Sequence, residues 1–177
     1  MSNPQAIKRV TITQGDFLSV TDVEAWVCFI TKDMAWDGGL NQAILKEGGD
    51  DFDAHVLEHV FQPKEGQVYC LPAFSAPVDR ILLAVIPQWR DGLFDEEQLV
   101  VRCYRNLIKI ASEQNIESFA VPSLGGGQRN FPQRRVVRLT LNALIQDMPD
   151  SLDSIKIVCK DSQSFDAYQF RLNTLCE

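Results

Sequence analysis

A glycine-rich segment carries the residues best suited to chemistry. It spans residues 122–132 and reads Pro-Ser-Leu-Gly-Gly-Gly-Gln-Arg-Asn-Phe-Pro, where an apolar run gives way to a helical pattern. Its glycines let the backbone approach a ligand closely, and their N–H groups with the positive end of the next helix would form a cradle for an anion. The segment predicts a phosphate site, with a flexible turn as the structural alternative. Four arginines within ten residues add positive charge to it: Arg129, Arg134, Arg135 and Arg138.

A second glycine turn lies at residues 36–41 and also stands between an apolar run and a helix. Neither loop ends in the Lys-Ser/Thr of a P-loop, and neither reads G-x-G-x-x-G, so a Walker-type ATPase and a Rossmann enzyme are not indicated. In open α/β sheets such loops meet at the carboxyl ends of the strands, where ligands bind. The two loops together predict a diphosphate held between them.

The elements that must position these loops alternate along the chain. Short runs rich in β-branched or aromatic residues predict strands at residues 10–13, 25–30, 67–71, 80–86, 118–121 and 155–159. Two of these runs, 25–30 and 81–86, contain no polar alternation, as expected for inner strands covered on both faces. The first few residues and residues 87–94 are predicted to be loose surface.

Apolar residues at helical spacing predict the intervening helices. They fall at residues 39–47, 51–60, 137–148 and 165–175, and in a further helix that begins near Asp95 as its N-cap and turns Cys103, Leu107 and Ile110 inward. Pro149 helps to stop the helix that carries Val137. Strands that alternate with helices predict an α/β fold, a three-layer α/β/α sandwich with a mixed, mostly parallel central sheet.

Composition narrows the function classes. A chain of 177 residues is predicted to form one domain, residues 1–177. The formal net charge of −7 argues against nucleic acid in bulk as a partner. No apolar run approaches the ~20 residues of a membrane span, and the start lacks a signal-peptide pattern, so we expect a cytoplasmic protein without a membrane partner. The five cysteines contain no C-x-x-C pair, which favours buried, reduced thiols, and no cofactor is predicted.

One motif points to a different chemistry. His55-Val56-Leu57-Glu58-His59 places two imidazoles at i and i+4 and matches the H-x-x-E-H of inverted zinc peptidases. The chain has no further histidine, and the sequence identifies no third ligand. The alternative is a solvent-facing helix stripe opposite Phe52, Val56 and Val60, and we predict no metal site.

Taken in order, the motifs resemble the macro domain family, whose members bind and process ADP-ribose. The segment V-T-I-T-Q-G-D at 10–16 looks like the family's opening strand and Gly-Asp turn, and 23–31 looks like its second strand and loop. Residues 37–44 and 122–132 resemble its two phosphate loops, and 81–89 its strand ending in Pro-x-Trp. The specificity lies in the set and its order, because each piece alone is common.

The resemblance implies a binding site. Asp16 fits the carboxylate that accepts from the adenine amino group, with the Phe17 backbone beside it, although an Asp at this position also caps turns. Thr31 lies in the stretch that would adjoin the distal ribose. The diphosphate would contact backbone N–H groups of two loops, the first formed by Gly38, Gly39 and Leu40, the second by Ser123, Leu124, Gly125, Gly126, Gly127 and Gln128.

Departures from the family pattern fall on its catalytic positions. Residues 28–31 read Cys-Phe-Ile-Thr where hydrolytic members have N-A-A-N, and Asn41 stands where they have an acidic residue. In another branch catalysis uses a lysine and an aspartate past the second loop, but this chain has Gln128 and Arg129 there. Lys160, followed by Asp161, replaces the aromatic residue that often stacks on adenine.

Three hypotheses follow from these matches and departures. The first is a module that binds ADP-ribose, or a related adenine nucleotide diphosphate, with weak or no catalysis. The second is a divergent ADP-ribosyl hydrolase or O-acetyl-ADP-ribose deacetylase that uses moved groups such as Asp33 or Asp37; Cys28 would serve as a nucleophile only with a lowered pKa. The third is an interaction scaffold without ligand. The sequence leaves the catalytic residues and the oligomeric state unknown.

Overall fold

A six-stranded sheet in the order β1-β6-β5-β2-β4-β3 forms the centre of the molecule. The computed structural model describes residues 3–36, 38–125 and 131–177. All neighbouring strands are parallel except β3, which runs antiparallel to β4 at the edge of the sheet. The predicted strands match within one residue at each end. Their bounds are β1 Val10–Gln14, β2 Ala25–Ile30, β3 Val68–Pro72, β4 Arg80–Val85, β5 Ser118–Pro122 and β6 Ser154–Cys159.

Helices cover both faces of this sheet, which confirms the predicted α/β sandwich. The side chains of β2 alternate between two cores: Val27 and Phe29 pack towards α1, α3, α4 and α5, whereas Trp26 and Cys28 pack towards α2. All six residues of β2 are buried, because the strand is covered on both faces. The helices are α1 Pro4–Ile7, α2 Gly39–His59, α3 Glu96–Glu113, α4 Gln133–Gln146 and α5 Ser162–Cys176.

Three local expectations can be compared with the structure. Residues 3–7 are not loose, because Asn3 caps the short helix α1, whose Ala6 is fully buried. The two helices expected at 39–47 and 51–60 are both present within α2, because Gly49, with φ of +83°, has a non-helical backbone between them. Asp95 is the N-cap residue of α3, as expected, but its backbone is left-handed and its side chain forms no cap hydrogen bond.

The cysteines are free thiols in the structure. Cys28, Cys103 and Cys159 are buried, Cys70 is half-buried and Cys176 is exposed. Burial raises the pKa of the Cys103 thiol to about 12, so this thiol stays protonated at neutral pH. Within the described ranges, no helix combines the length and hydropathy needed to cross a membrane.

Candidate functional site

A cleft of about 660 Å³ opens at the carboxyl ends of β1, β6 and β5 and at the start of α2. Its wall contains residues 15–18 after β1, Ser123 and Gly125 after β5, and Gly39 and Leu40 in the first turn of α2. Carboxyl ends of parallel strands are the usual ligand site of α/β folds. The structure thus places predicted residues from three distant segments around one space.

The first turn of α2 is open towards this cleft. Gly38 is the N-cap residue, with φ of +86° and no side-chain cap hydrogen bond. A left-handed backbone of this kind favours glycine. A Cβ built on Gly39 would meet no atom within 4 Å. The N–H groups at this helix start, with the positive end of the helix dipole, suit an anionic group.

The loop after β5 is held by packing against α4 and α5. The backbone N–H of Ser123 donates to Val158 at 3.0 Å, and the Tyr168 hydroxyl donates to the Leu124 carbonyl at 2.8 Å. Gly125 has φ of +115°, and a Cβ there would lie 2.9 Å from Val136. The start of the predicted second phosphate loop is therefore rigidly placed. The predicted residues Gly126, Gly127 and Gln128 lie outside the described residues.

Asp16 caps a turn and also lines the cleft. Its carboxylate accepts from the Leu18 N–H and from the Ser19 hydroxyl, each at 3.2 Å, and so caps the 3-10 turn Phe17–Ser19. It also lines the cleft and is exposed. A carboxylate has about four lone-pair positions, so the cap leaves acceptor capacity for a ligand. Phe17 lines the cleft as well, with its ring 5.7 Å from the ring of Trp26.

Thr31 is separated from the other predicted site residues. It lines a second pocket of about 270 Å³ at the ends of β2 and β4, together with Lys32, Asp33 and Glu65. The Thr31 hydroxyl donates to the Asp33 carboxylate. The Lys32 ammonium lies 3.6 Å from Glu65. The cleft lies at the ends of β1, β6 and β5, and this pocket lies at the ends of β2 and β4, the next strands in the sheet order.

Asn41 has a structural role that sequence reasoning missed. Its side-chain amide donates to the Phe29 carbonyl at 2.7 Å, and its oxygen accepts from the Cys28 thiol at 3.3 Å. The residue is buried and joins the start of α2 to β2. Cys28 is fully buried in the α2-side core, which argues against a role as an accessible nucleophile. A polar residue on the inward face of a predicted helix was the available signal.

The arginines of α4 do not supply the positive charge of the cleft. Arg134, Arg135 and Arg138 are exposed, and none of them lines it. Arg135 instead lies 3.2 Å from Glu97 and stacks over Trp89. The positive charge that these three arginines add near the loop therefore lies outside the cleft wall, while Arg129 lies outside the described residues. Among the described lining residues, Lys160 is the cation.

Lys160, which the resemblance places where an aromatic residue often stacks on adenine, and Asp161, which follows it, line the cleft with six residues that sequence reasoning did not assign to the site. Each of these residues lies at or near the end of a predicted strand or the start of a predicted helix, which was the available signal. These lining residues are Gly15, Leu18, Ala43, Pro122, Val158, Lys160, Asp161 and Ser164.

The two histidines form a surface pair on α2. Their rings stack with centroids 3.8 Å apart, and His59 Nδ1 hydrogen-bonds to the His55 carbonyl at 3.0 Å. In the described part of the chain, no group of three or more His, Cys, Asp or Glu side chains has a metal-binding arrangement.

Comparisons with known proteins agree with this geometry. The chain is 27% identical over 172 residues to O-acetyl-ADP-ribose deacetylase 1 of Pantoea vagans, covering 94% of this chain and 100% of that one. A structure of the Oceanobacillus iheyensis macrodomain with ADP superposes with a TM-score of 0.83 at 23% identity, covering 93% of this chain and 90% of that one. The Trypanosoma brucei macrodomain in complex with ADP-ribose gives 0.80 at 19% identity, covering 94% and 71%. The family model described as Macro domain matches residues 30–140, and the chain belongs to the macro domain family.

Proposed function

We propose that this chain binds ADP-ribose, or a related adenine nucleotide diphosphate, in the cleft. The observation that carries the proposal is the convergence of the uncapped first turn of α2, the glycine loop after β5 and the Asp16 carboxylate on one space of about 660 Å³. An anionic diphosphate suits the first two, and an amino group suits the third. Related macrodomains have been solved with ADP and with ADP-ribose, which supports the same ligand class here.

The order of the strands gives the ligand a direction. Asp16 follows β1 at one edge, the loop of Ser123 follows β5, and α2 follows β2 further along. Adenine would therefore lie at the β1 end and the diphosphate between β5 and the start of α2. The distal ribose would point towards the pocket that contains Thr31.

We expect binding with weak or no catalysis. A hydrolytic reaction needs a base near the distal ribose, within hydrogen-bond reach of the attacking water. Asn41 cannot serve, because a side-chain amide is not a base and because both its polar atoms are engaged with β2. The buried Cys28 thiol lies in the same contact and faces the core.

The similarity to O-acetyl-ADP-ribose deacetylase 1 favours a second candidate, removal of the acetyl group from O-acetyl-ADP-ribose. Asp33 is the carboxylate nearest in sequence to Thr31, and it lines the adjoining pocket. In this reading its carboxylate would activate a water. The candidate predicts acetate release that is lost in Asp33→Asn, whereas no release above the blank at stoichiometric protein would exclude it.

Calorimetric titration with ADP-ribose tests the binding proposal. We expect the wild type to bind, and Asp16→Ala to bind about tenfold more weakly because one charge-assisted hydrogen bond is lost. Asp53→Ala, which removes an exposed carboxylate of α2, is the matched control and should bind like the wild type. A wild type that gives no heat with ADP-ribose or related nucleotides would leave the scaffold hypothesis in its place.

A further inference from the structure

Lys160 stands between the parts of the cleft proposed for adenine and for the diphosphate. It follows β6, and the neighbours of β6 in the sheet are β1 and β5. Neighbouring strands lie about 4.8 Å apart, so Lys160 is about one strand spacing from each part. In an adenine nucleotide diphosphate, the unit between adenine and diphosphate is the adenosine ribose. This ribose would therefore pass Lys160.

The charge of Lys160 is available to a ligand. The side chain is exposed, lines the cleft and forms no ion pair within the described chain. The carboxylates that face the same space are Asp16 and Asp161, and both already accept from backbone N–H groups, of Leu18 at 3.2 Å and of Ser164 at 2.7 Å. Each caps the start of a helical turn, where the positive end of the turn offsets part of its charge.

We propose that Lys160 selects ligands with a phosphate monoester on the adenosine ribose, such as ADP-ribose phosphorylated at the 2′-hydroxyl. The inference rests on the proposed function and names a ligand class for the same cleft. An ammonium group donates charge-assisted hydrogen bonds to a phosphate dianion, and its flexible stem lets it follow the ribose. An aromatic side chain here would offer a stacking face to adenine and no charge to a phosphate.

The test compares ADP-ribose with its 2′-phosphorylated form by calorimetry at low ionic strength. We expect the wild type to bind the phosphorylated ligand about fivefold more tightly, the effect of one exposed ion pair. Lys160→Gln should remove this preference, so that the two ligands bind with equal affinity. Lys109→Gln is the matched control, because Lys109 lies on α3 outside the cleft, and its preference should equal that of the wild type. High salt should reduce the preference by screening.

Equal affinity of the wild type for the two ligands would overturn the inference, as would a preference that survives in Lys160→Gln. An equal loss for both ligands in Lys160→Gln would overturn it too, because Lys160 would then act on the diphosphate. If the wild type binds ADP-ribose without discrimination, the proposed function stands and only the role of Lys160 is lost. If it binds neither ligand, both proposals fail.

Discussion

The cleft and the Thr31 pocket both open at the carboxyl ends of the strands, but different kinds of residues line them. The cleft wall contains glycine, alanine and serine residues and the first backbone turn of α2. The pocket wall contains charged side chains, among them Lys32, Glu65, Arg90 and Glu96. A wall of small residues brings backbone N–H groups close to a ligand, whereas a wall of charged side chains can bind one only where the charges are not already paired.

The charges of the Thr31 pocket are mostly engaged within the protein. Lys32 lies 3.6 Å from Glu65, and Arg90 stacks over the ring of Phe94. Glu96 is only 1% exposed and accepts from the N–H groups of Arg90 and Phe94, at 3.0 and 3.3 Å. The pocket therefore uses most of its charges within the protein, whereas the backbone N–H groups at the start of α2 and the Lys160 ammonium remain for a ligand of the cleft. This difference favours binding over catalysis.

The largest effect is expected from filling the cleft at its backbone wall. Gly39→Val puts a branched side chain into space that is open within 4 Å and has no positive φ to oppose it. We expect ADP-ribose binding to weaken more than about a hundredfold, or about 2.7 kcal/mol, since the side chain would occupy the position of a phosphate. Calorimetry gives the affinity, and urea unfolding should show stability within about 0.5 kcal/mol of the wild type.

A control for this variant is Ser162→Val, at the first position of α5, which does not line the cleft. It should bind ADP-ribose like the wild type. If Gly39→Val binds ADP-ribose normally, the ligand does not lie against the first turn of α2, and the cleft has no binding role that distinguishes it from the pocket.

In the pocket, we expect a substitution to lower the stability of the protein rather than its affinity for ADP-ribose. Glu96→Ala leaves two backbone N–H groups without their acceptor, and we expect the free energy of unfolding in urea to fall by about 2 kcal/mol. ADP-ribose affinity should stay within about threefold. Glu97→Ala removes the adjacent, more exposed carboxylate and should cost under about 1 kcal/mol. Lost binding with unchanged stability would make Glu96 a ligand residue.

Asn41, which stands where the resemblance implies an acidic residue in hydrolytic members, is buried and joins the start of α2 to β2. In Asn41→Asp an acceptor replaces the donor that faces the Phe29 carbonyl at 2.7 Å. We expect a loss of about 1.5 kcal/mol in urea unfolding and no gain of hydrolysis. Asn41→Gln keeps the amide group but lengthens the side chain by one methylene. Comparing the two variants therefore shows whether the contact with β2 requires the amide group itself or also its length. Hydrolysis of O-acetyl-ADP-ribose by Asn41→Asp would show that the acid alone had been missing.

Most of the fold could be predicted from the sequence because the inner strands β2, β4 and β5 are largely buried on both faces. Apolar runs such as 25–30 predict buried strands in a chain where strands and helices alternate. The glycines at 38–39 predict the start of the helix that follows. The exceptions depend on single local contacts. Asp95 is the N-cap residue of α3, as its sequence context predicts, but its left-handed backbone leaves its side chain without a cap hydrogen bond. The Glu96 carboxylate accepts instead from the Arg90 and Phe94 N–H groups, which precede the helix.

The site was less accessible to sequence reasoning because it depends on strand order. Lys160 enters the cleft because β6 inserts between β1 and β5, a pairing of segments more than 100 residues apart. Thr31 lies outside the cleft because it follows β2, whose other neighbour in the sheet is β4, and the second pocket opens at the ends of these two strands. Arg135 was counted with the phosphate loop by its spacing, but Glu97 and Trp89 lie nearer. Position along the chain did not encode these neighbours.

The smallest effect is expected at the pocket's exposed ion pair. Lys32→Ala removes the partner of Glu65, but the Lys32 side chain is 67% exposed and the two groups are 3.6 Å apart. Solvent screens such a pair, so urea unfolding should change by less than about 0.5 kcal/mol. ADP-ribose affinity should not change, because the pair lies beyond the position proposed for the distal ribose. Weaker binding of ADP-ribose by Lys32→Ala, with Lys109→Ala unaffected, would instead extend the ligand site across β2 into the pocket.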